Sequence, residues 1–257
     1  GHGHFCGQAG SQFCKRGPSG ELPDSEKCHH VGLPWKSMYC PQGFVVNHAA
    51  AVANGGLPPC SPDPGDCPPG EYAGATDAEA DVFVHAKKGN DGWPGTAAQP
   101  VKSIGKAISL APIGGVVAVG PGSYEESLLI SKPLSLRGHC AAAVVVVGPS
   151  GKSALTVNGA GEGDVYVTGF QFSGSWIGVN VAGSLATRLQ RVFVSEATSA
   201  GILVHGAVAK AEIVQTVVAG TLPQVASKEL GWGVQFSGGA HVVLRDSRVT
   251  SNRDLGV

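Results

Sequence analysis

Four copies of a Gly-apolar phrase punctuate the last third of the chain: Gly178-Val179, Gly201-Ile202, Gly233-Val234 and Gly256-Val257, at intervals of 23, 32 and 23 residues. A second set keeps step with it. Val167, Leu189, Ile213 and Leu244 are each followed five places on by Phe172, Val194, Val218 and Val249. Short β-branched runs recurring every two dozen residues or so, with one interval stretched, are the pattern of a stacked β-coil. A single coil is too small to bury its own apolar side, so successive coils must pile up and share one core. The expected fold is therefore all-β, a parallel solenoid.

Composition agrees. Charged residues are 14% of the 257, well under the usual quarter or so, and the 39 glycines exceed the usual share of about 7%. Glycine with β-branched residues means many turns between many short strands. The net charge of −1 gives no electrostatic case for a nucleic-acid partner. The longest apolar run, Ala141 to Val147, is far short of the ~20 residues that span a bilayer. With no start methionine, and with Asp254-Leu255-Gly256-Val257 stopping as another coil begins, the chain is expected to be part of a longer polypeptide.

Residues 1–75 differ in character. Cys6, Cys14, Cys28, Cys40, Cys60 and Cys67 lie here among Pro-rich loops, with no periodic apolar stretch. A segment without a core needs cross-links, and an even cysteine count points to three disulfides in an oxidising compartment. Zinc is the rival reading, with Cys6, Cys14, Cys28, His29, His30 and Cys40 as ligands and His2 and His4 nearby. No Cys-x-x-Cys or His-x(3–5)-His pair prearranges such a site, so no metal is assigned. The seventh cysteine, Cys140, sits before a run of alanine and valine and reads as a buried free thiol. Residues 76–81 read as a linker and 82–257 as the solenoid.

The solenoid region opens with a strand at Val82-Phe83-Val84 and the turn cluster Asn90 to Thr96. A helix is predicted over 100–111, starting at Pro100, with Val101, Ile104, Ile108 and Ala111 as its apolar stripe. Pro112 and Gly114-Gly115 end it. The stretch from Val82 to Ile108 resembles the N-terminal cap of the pectin-lyase-like right-handed parallel β-helix superfamily. Gly89, Asp91, Gly95, Thr96, Pro100, Val101, Ser103 and Ile104 stand where that pattern places them, and Val116 to Tyr124 looks like the first full coil. The resemblance covers residues 81–257. It implies a right-handed parallel β-helix closed at its N-terminal end by an amphipathic helix.

In enzymes of that superfamily the resemblance implies chemistry on the outer face. Lyases there hold Ca²⁺ with clustered acids and use Lys or Arg as base, and hydrolases use grouped aspartates. Calcium wants six to eight oxygens and glycoside hydrolysis two carboxyls. Stacking the coils on Val167, Leu189, Ile213 and Leu244 tests this. The position two places on reads Gly169, Arg191, Gln215, Asp246; four places on reads Gln171, Phe193, Val217, Arg248. No column carries two acids, so no catalytic residue is assigned. Arg191, Arg245, Asp246 and Arg248 share a neighbourhood with Arg188 and Glu212 in this stacking, with Arg191 and Asp246 about 10 Å apart. Two readings of it stay open, a solvated face with weak ion pairs and a basic strip gripping carboxylate-bearing sugars. Trp232, after the insertion at 220–230, is a candidate for stacking on a sugar ring, against packing over its neighbours, as is Trp176.

Two functions are weighed. One is an exported, bacterial surface or secreted scaffold that binds acidic polysaccharide without a cofactor. The other is a polysaccharide lyase, for which Ca²⁺ would be the cofactor. Fold analogy cannot choose between them.

Overall fold

The strands that the period demands are present in a computed structural model of the chain, which describes residues 40–47, 60–223 and 231–253 together with the backbone of two short strands, His4–Phe5 and Phe13–Cys14. Three parallel sheets carry them. Sheet 1 has seven strands: Val82–Val84, Val116–Val119, Leu134–Gly138, Asp164–Thr168, Ala186–Gln190, Lys210–Val214 and His241–Arg245. Sheet 2 has six, from Gly122–Glu125 through Val144–Val147, Gln171–Ser173, Phe193–Ser195 and Val217–Ala219 to Arg248–Thr250. Sheet 3 has five: Leu128–Ile130, Ser153–Gly159, Ile177–Gly183, Ala200–His205 and Trp232–Ser237. The chain visits the sheets in that order and then returns to sheet 1 beside its previous strand. This is the topology of a parallel β-solenoid.

The register is the one the periodicity requires. Val167 pairs with Leu189, Leu189 with Ile213 and Ile213 with Leu244. On sheet 2, Phe172, Val194, Val218 and Val249 pair in turn, and on sheet 3 Val179, Ile202 and Val234 do so. All but the last coil's Leu244 and Val249 are buried, in one continuous apolar core. Because strand side chains alternate between faces, fixing one inner column fixes every outer one.

Three corners close each coil, and in the later coils the two that flank sheet 2 use the left-handed region. Between sheets 1 and 2 the corner residues are Gly169, Arg191, Gln215 and Asp246, with φ of 75°, 51°, 48° and 47°. Leaving sheet 2, Gly174, Glu196 and Gly220 have φ from 57° to 68°, and Ser251 54°. The recurring glycine of sheet 3 has a different cause. A Cβ on Gly201 would overlap Val218 Cγ1 in the next coil and meet the Gly233 carbonyl oxygen at 2.7 Å. Only hydrogen fits there.

The helix, α1, spans Ile104–Leu110, and its buried residues Ile104, Ala107 and Ile108 join the core. It starts later than the predicted Pro100 because Val101 is held in a β-bridge to Val84. Ser103 is the N-cap. The first free backbone N–H groups are met by carboxylates: Asp91 accepts from Lys102 and Ser103, and Glu126 from Ile104 and Gly105, all at 2.8 Å. Asp91 is thus a structural anchor for the turn that precedes the helix.

By packing, residues 41–45 and 60–257 form one compact unit, and residues 1–40 with 46–59 another. Of the second, the described backbone shows His4–Phe5 paired antiparallel with Phe13–Cys14. Residues 60–75 therefore sit with the coils, not with the cysteine-rich segment to which the sequence reading assigned them. Residues 76–81 also differ from the expected linker: Ala80 is buried with Phe83 and Ala118, and Asp81 accepts the Val116 N–H at 2.8 Å.

One expectation is overturned outright. Cys140 is not a free thiol; it is bonded to Cys67, 73 residues earlier, with the sulfurs 2.01 Å apart. The turn after the sheet-1 strand Leu134–Gly138 brings Cys140 to the surface of the coil, where the strap formed by residues 60–73 crosses it. Cys40 and Cys60 each also take part in a disulfide. Cys6, Cys28, His29, His30 and the side chains of Cys14 and His4 lie outside the described residues, as does the phrase Gly256-Val257. Cys67, Cys140 and His139 place their ligand atoms within 4.8 Å of one another. The two sulfurs are bonded to each other, so the trio is not a thiolate ligand set. No described helix is long and apolar enough to cross a membrane.

Candidate functional site

The outer face of sheet 1 gathers Arg137, Asp164, Arg188, Lys210, Glu212 and Arg245. Its central column runs Ser135, Tyr166, Arg188, Glu212 and Val243; the next runs Arg137, Thr168, Gln190, Val214 and Arg245. Glu212 lies between two guanidiniums, 3.3 Å from Arg188 Nη1 and 3.6 Å from Arg245 Nη1. Arg188 Nε is shielded from solvent and has no hydrogen-bond partner. Tyr166 is 45% exposed, and its hydroxyl donates to Asp164 Oδ2 at 3.3 Å.

These side chains line a continuous open trough. One stretch of about 550 Å³ is bordered by Arg137, Tyr166, Thr168, Arg188 and Gln190. A second of about 310 Å³ shares Asp164, Tyr166 and Arg188 and runs on to Lys210, Glu212, His241 and Arg245. The trough thus presents three arginines and a lysine against two carboxylates, around one aromatic ring. Guanidinium forks match planar anions, and an exposed ring gives a flat apolar platform. The arrangement suits a ligand that carries carboxylates on an otherwise flat, hydroxylated body.

The residues singled out from sequence do not all meet there. Arg245 does, at the end of the trough. Arg191 stands at the corner between sheets 1 and 2, its Nη1 4.0 Å from Asp66 Oδ2. Asp246 occupies the same corner column, exposed. Arg248 lies on sheet 2, where its Nη1 donates to Cys60 Sγ at 3.4 Å, and burial lowers its pKa. Four places beyond the anchor is already past the corner, so Arg248 faces a different side. Trp232 begins a strand of sheet 3; its indole Nε1 is buried without a partner, away from the arginines. Trp176 is 40% exposed at the entry to the same sheet. Of the insertion, residues 224–230 lie outside the described residues, while its ends are tied by a Thr221 hydroxyl bond to the Gly231 carbonyl at 2.6 Å.

Tyr166 and Arg137 escaped the sequence reading. The signal was available: alternation makes the residues just before and just after each inner anchor face outward, and Tyr166 precedes Val167. Arg137 follows Leu136, an anchor one coil earlier than the first one recognised. At the corner, Gln215 links the coils to the segment 41–45, accepting from Gln190 and donating to Gln42, both at 3.2 Å.

No registered column on the three sheets stacks one acid directly on another among the described residues. Half-buried His139, close to the disulfide, accepts the Ala73 N–H on Nδ1 at 3.2 Å, and partial burial holds its pKa below the ordinary value. Its ring proton therefore resides on Nε2.

Comparison with known proteins gives two likenesses. Residues 87–148 match a family described as a protein of unknown function, DUF1565. An 87-residue stretch, 32% of this chain, is 34% identical to a cell surface glycoprotein of Methanothermus fervidus. That stretch spans 14% of the glycoprotein's own length.

Proposed function

We propose that this chain is an exported, surface-displayed β-helix that binds an acidic polysaccharide along the outer face of sheet 1 and does not cleave it. The coiling is read as right-handed, following the general chirality of parallel crossovers, with α1 lying across the first coil as its cap. Two observations support display outside the cell. The chain carries disulfides, which persist in oxidising compartments. A stretch of it is similar to a protein named as a cell surface glycoprotein.

The single observation that carries the binding reading is the placement of Arg137, Arg188 and Arg245 along one trough with the exposed ring of Tyr166. Glu212 neutralises only one of the two guanidiniums it touches, so the face keeps an excess of positive charge where a carboxylate can replace water. Because the contacts are exposed, binding must weaken with salt.

Titration of the protein with polygalacturonate and alginate at low and high salt tests this. The expected result is salt-sensitive binding with no rise in ultraviolet absorbance. An unsaturated, absorbing product would establish a lyase instead, and binding indifferent to salt would remove the basic face from the explanation.

A further inference from the structure

The trough does not stop at Thr168. Arg137 and Thr168 also line a smaller and more enclosed pocket of about 230 Å³ at the corner between sheets 1 and 2. Arg137, His139 and Arg191 reach it from the coils, and Asp63 and Asp66 from the strap. The strap is fixed over that corner. Cys67 ties it to Cys140, the Asp63 N–H donates to the Gly43 carbonyl at 2.9 Å, and Phe44 packs against Phe193 with ring centroids 6.1 Å apart.

We infer that this pocket is a terminal subsite, taking the end residue of an acidic polysaccharide whose preceding residues lie along Tyr166. The inference rests on the binding reading above and specifies which part of the polymer is recognised. A chain that leaves the trough past Arg137 and Thr168 enters the pocket, which Asp63, Asp66 and Pro68 of the strap border. On that path its last residue sits in the pocket.

The lining suits an end residue better than an internal one. A terminal sugar has a free hydroxyl where an internal one has a glycosidic bond. Carboxylates accept hydrogen bonds from hydroxyls and repel carboxylates, and both kinds of group are needed to tell the two apart. Asp63 Oδ1 accepts the Gly65 N–H at 2.8 Å, which leaves Oδ2 for a ligand. Asp66 is 4.0 Å from Arg191 Nη1, beyond hydrogen-bond range, so both groups keep capacity for a ligand. Arg137 and Arg191 supply the forks for the end residue's own carboxylate, and His139 Nε2–H is a neutral donor beside them.

The test is stoichiometry. Oligogalacturonates and oligoalginates of graded length are titrated against the intact protein by calorimetry and sedimentation. End recognition gives one protein per chain at every length. A ratio that climbs as chains lengthen overturns the inference and leaves polysaccharide binding standing. Absence of binding at every length overturns both. The double variant D63N/D66N keeps the acceptor that holds Gly65 and so preserves the strap. It is expected to lose about tenfold in affinity for short and long chains alike. Unchanged affinity in that variant, with folding intact, overturns the terminal subsite.

Discussion

Val218 packs so closely over Gly201 that any side chain on the glycine would overlap its Cγ1. The same relationship joins Gly178 to Val194 and Gly233 to Val249, one coil on in each case. The Gly-apolar phrase that repeats through the sequence is therefore a packing rule between neighbouring coils. Gly201→Ala is expected to destabilise the protein by about 1–3 kcal/mol, the usual range for overpacking a filled interior. Adding Val218→Ala should recover part of the loss, a coupling that urea unfolding of the single and double variants would reveal.

The Cys67–Cys140 bond closes a span of 73 residues. Replacing both cysteines by serine is expected to cost about 2–4 kcal/mol, chiefly through the freer unfolded chain. Denaturation with and without reductant measures it. Wild-type protein should shift on reduction, whereas the double variant should shift less, by the amount this bond contributes.

The repeat revealed the core and much less of the surface. Val167, Leu189, Ile213 and Leu244 could be stacked from sequence because an inner column must be apolar in every coil, which leaves a periodic mark. Outer columns carry no such constraint. Arg188 and Glu212 were placed near the right neighbourhood, while Tyr166 went unnoticed because nothing repeats in its column. Arg248 was misjudged for a geometric reason: the left-handed corner at Asp246 turns the chain onto another sheet. Cys140 was misread because a partner so distant in sequence leaves no local trace. The late start of α1 reflects a tertiary bridge between Val84 and Val101 that outweighs the preference of Pro100 for a first helical turn.

Burial tends to raise the Asp91 pKa. Hydrogen bonds from the Ser103 N–H and hydroxyl and from the Lys102 N–H outweigh it, so the carboxyl sits below its ordinary value. A depressed carboxylate contributes stability above its unfolded pKa of about 3.9 and loses it as pH falls through the folded value. Thermal unfolding between neutral and strongly acid pH should therefore show Asp91→Asn converging on wild type below the folded pKa. A constant gap across the whole range would refute that linkage.

Glu212 offers a separable test of the trough. Its ion pairs are exposed, so Glu212→Gln should change stability by no more than about 1 kcal/mol. The same change frees Arg188 and Arg245 and should tighten binding of polygalacturonate severalfold, with a steeper dependence on salt. Equilibrium dialysis at two ionic strengths reads both effects.

The face that binds is most directly identified by comparing two aromatic variants in one calorimetric titration with polygalacturonate. Tyr166→Ala, on sheet 1, is expected to weaken binding roughly three- to tenfold, while Trp232→Ala, on sheet 3, leaves it unchanged once folding is confirmed. The reverse order, with Trp232 needed and Tyr166 dispensable, would contradict binding along sheet 1.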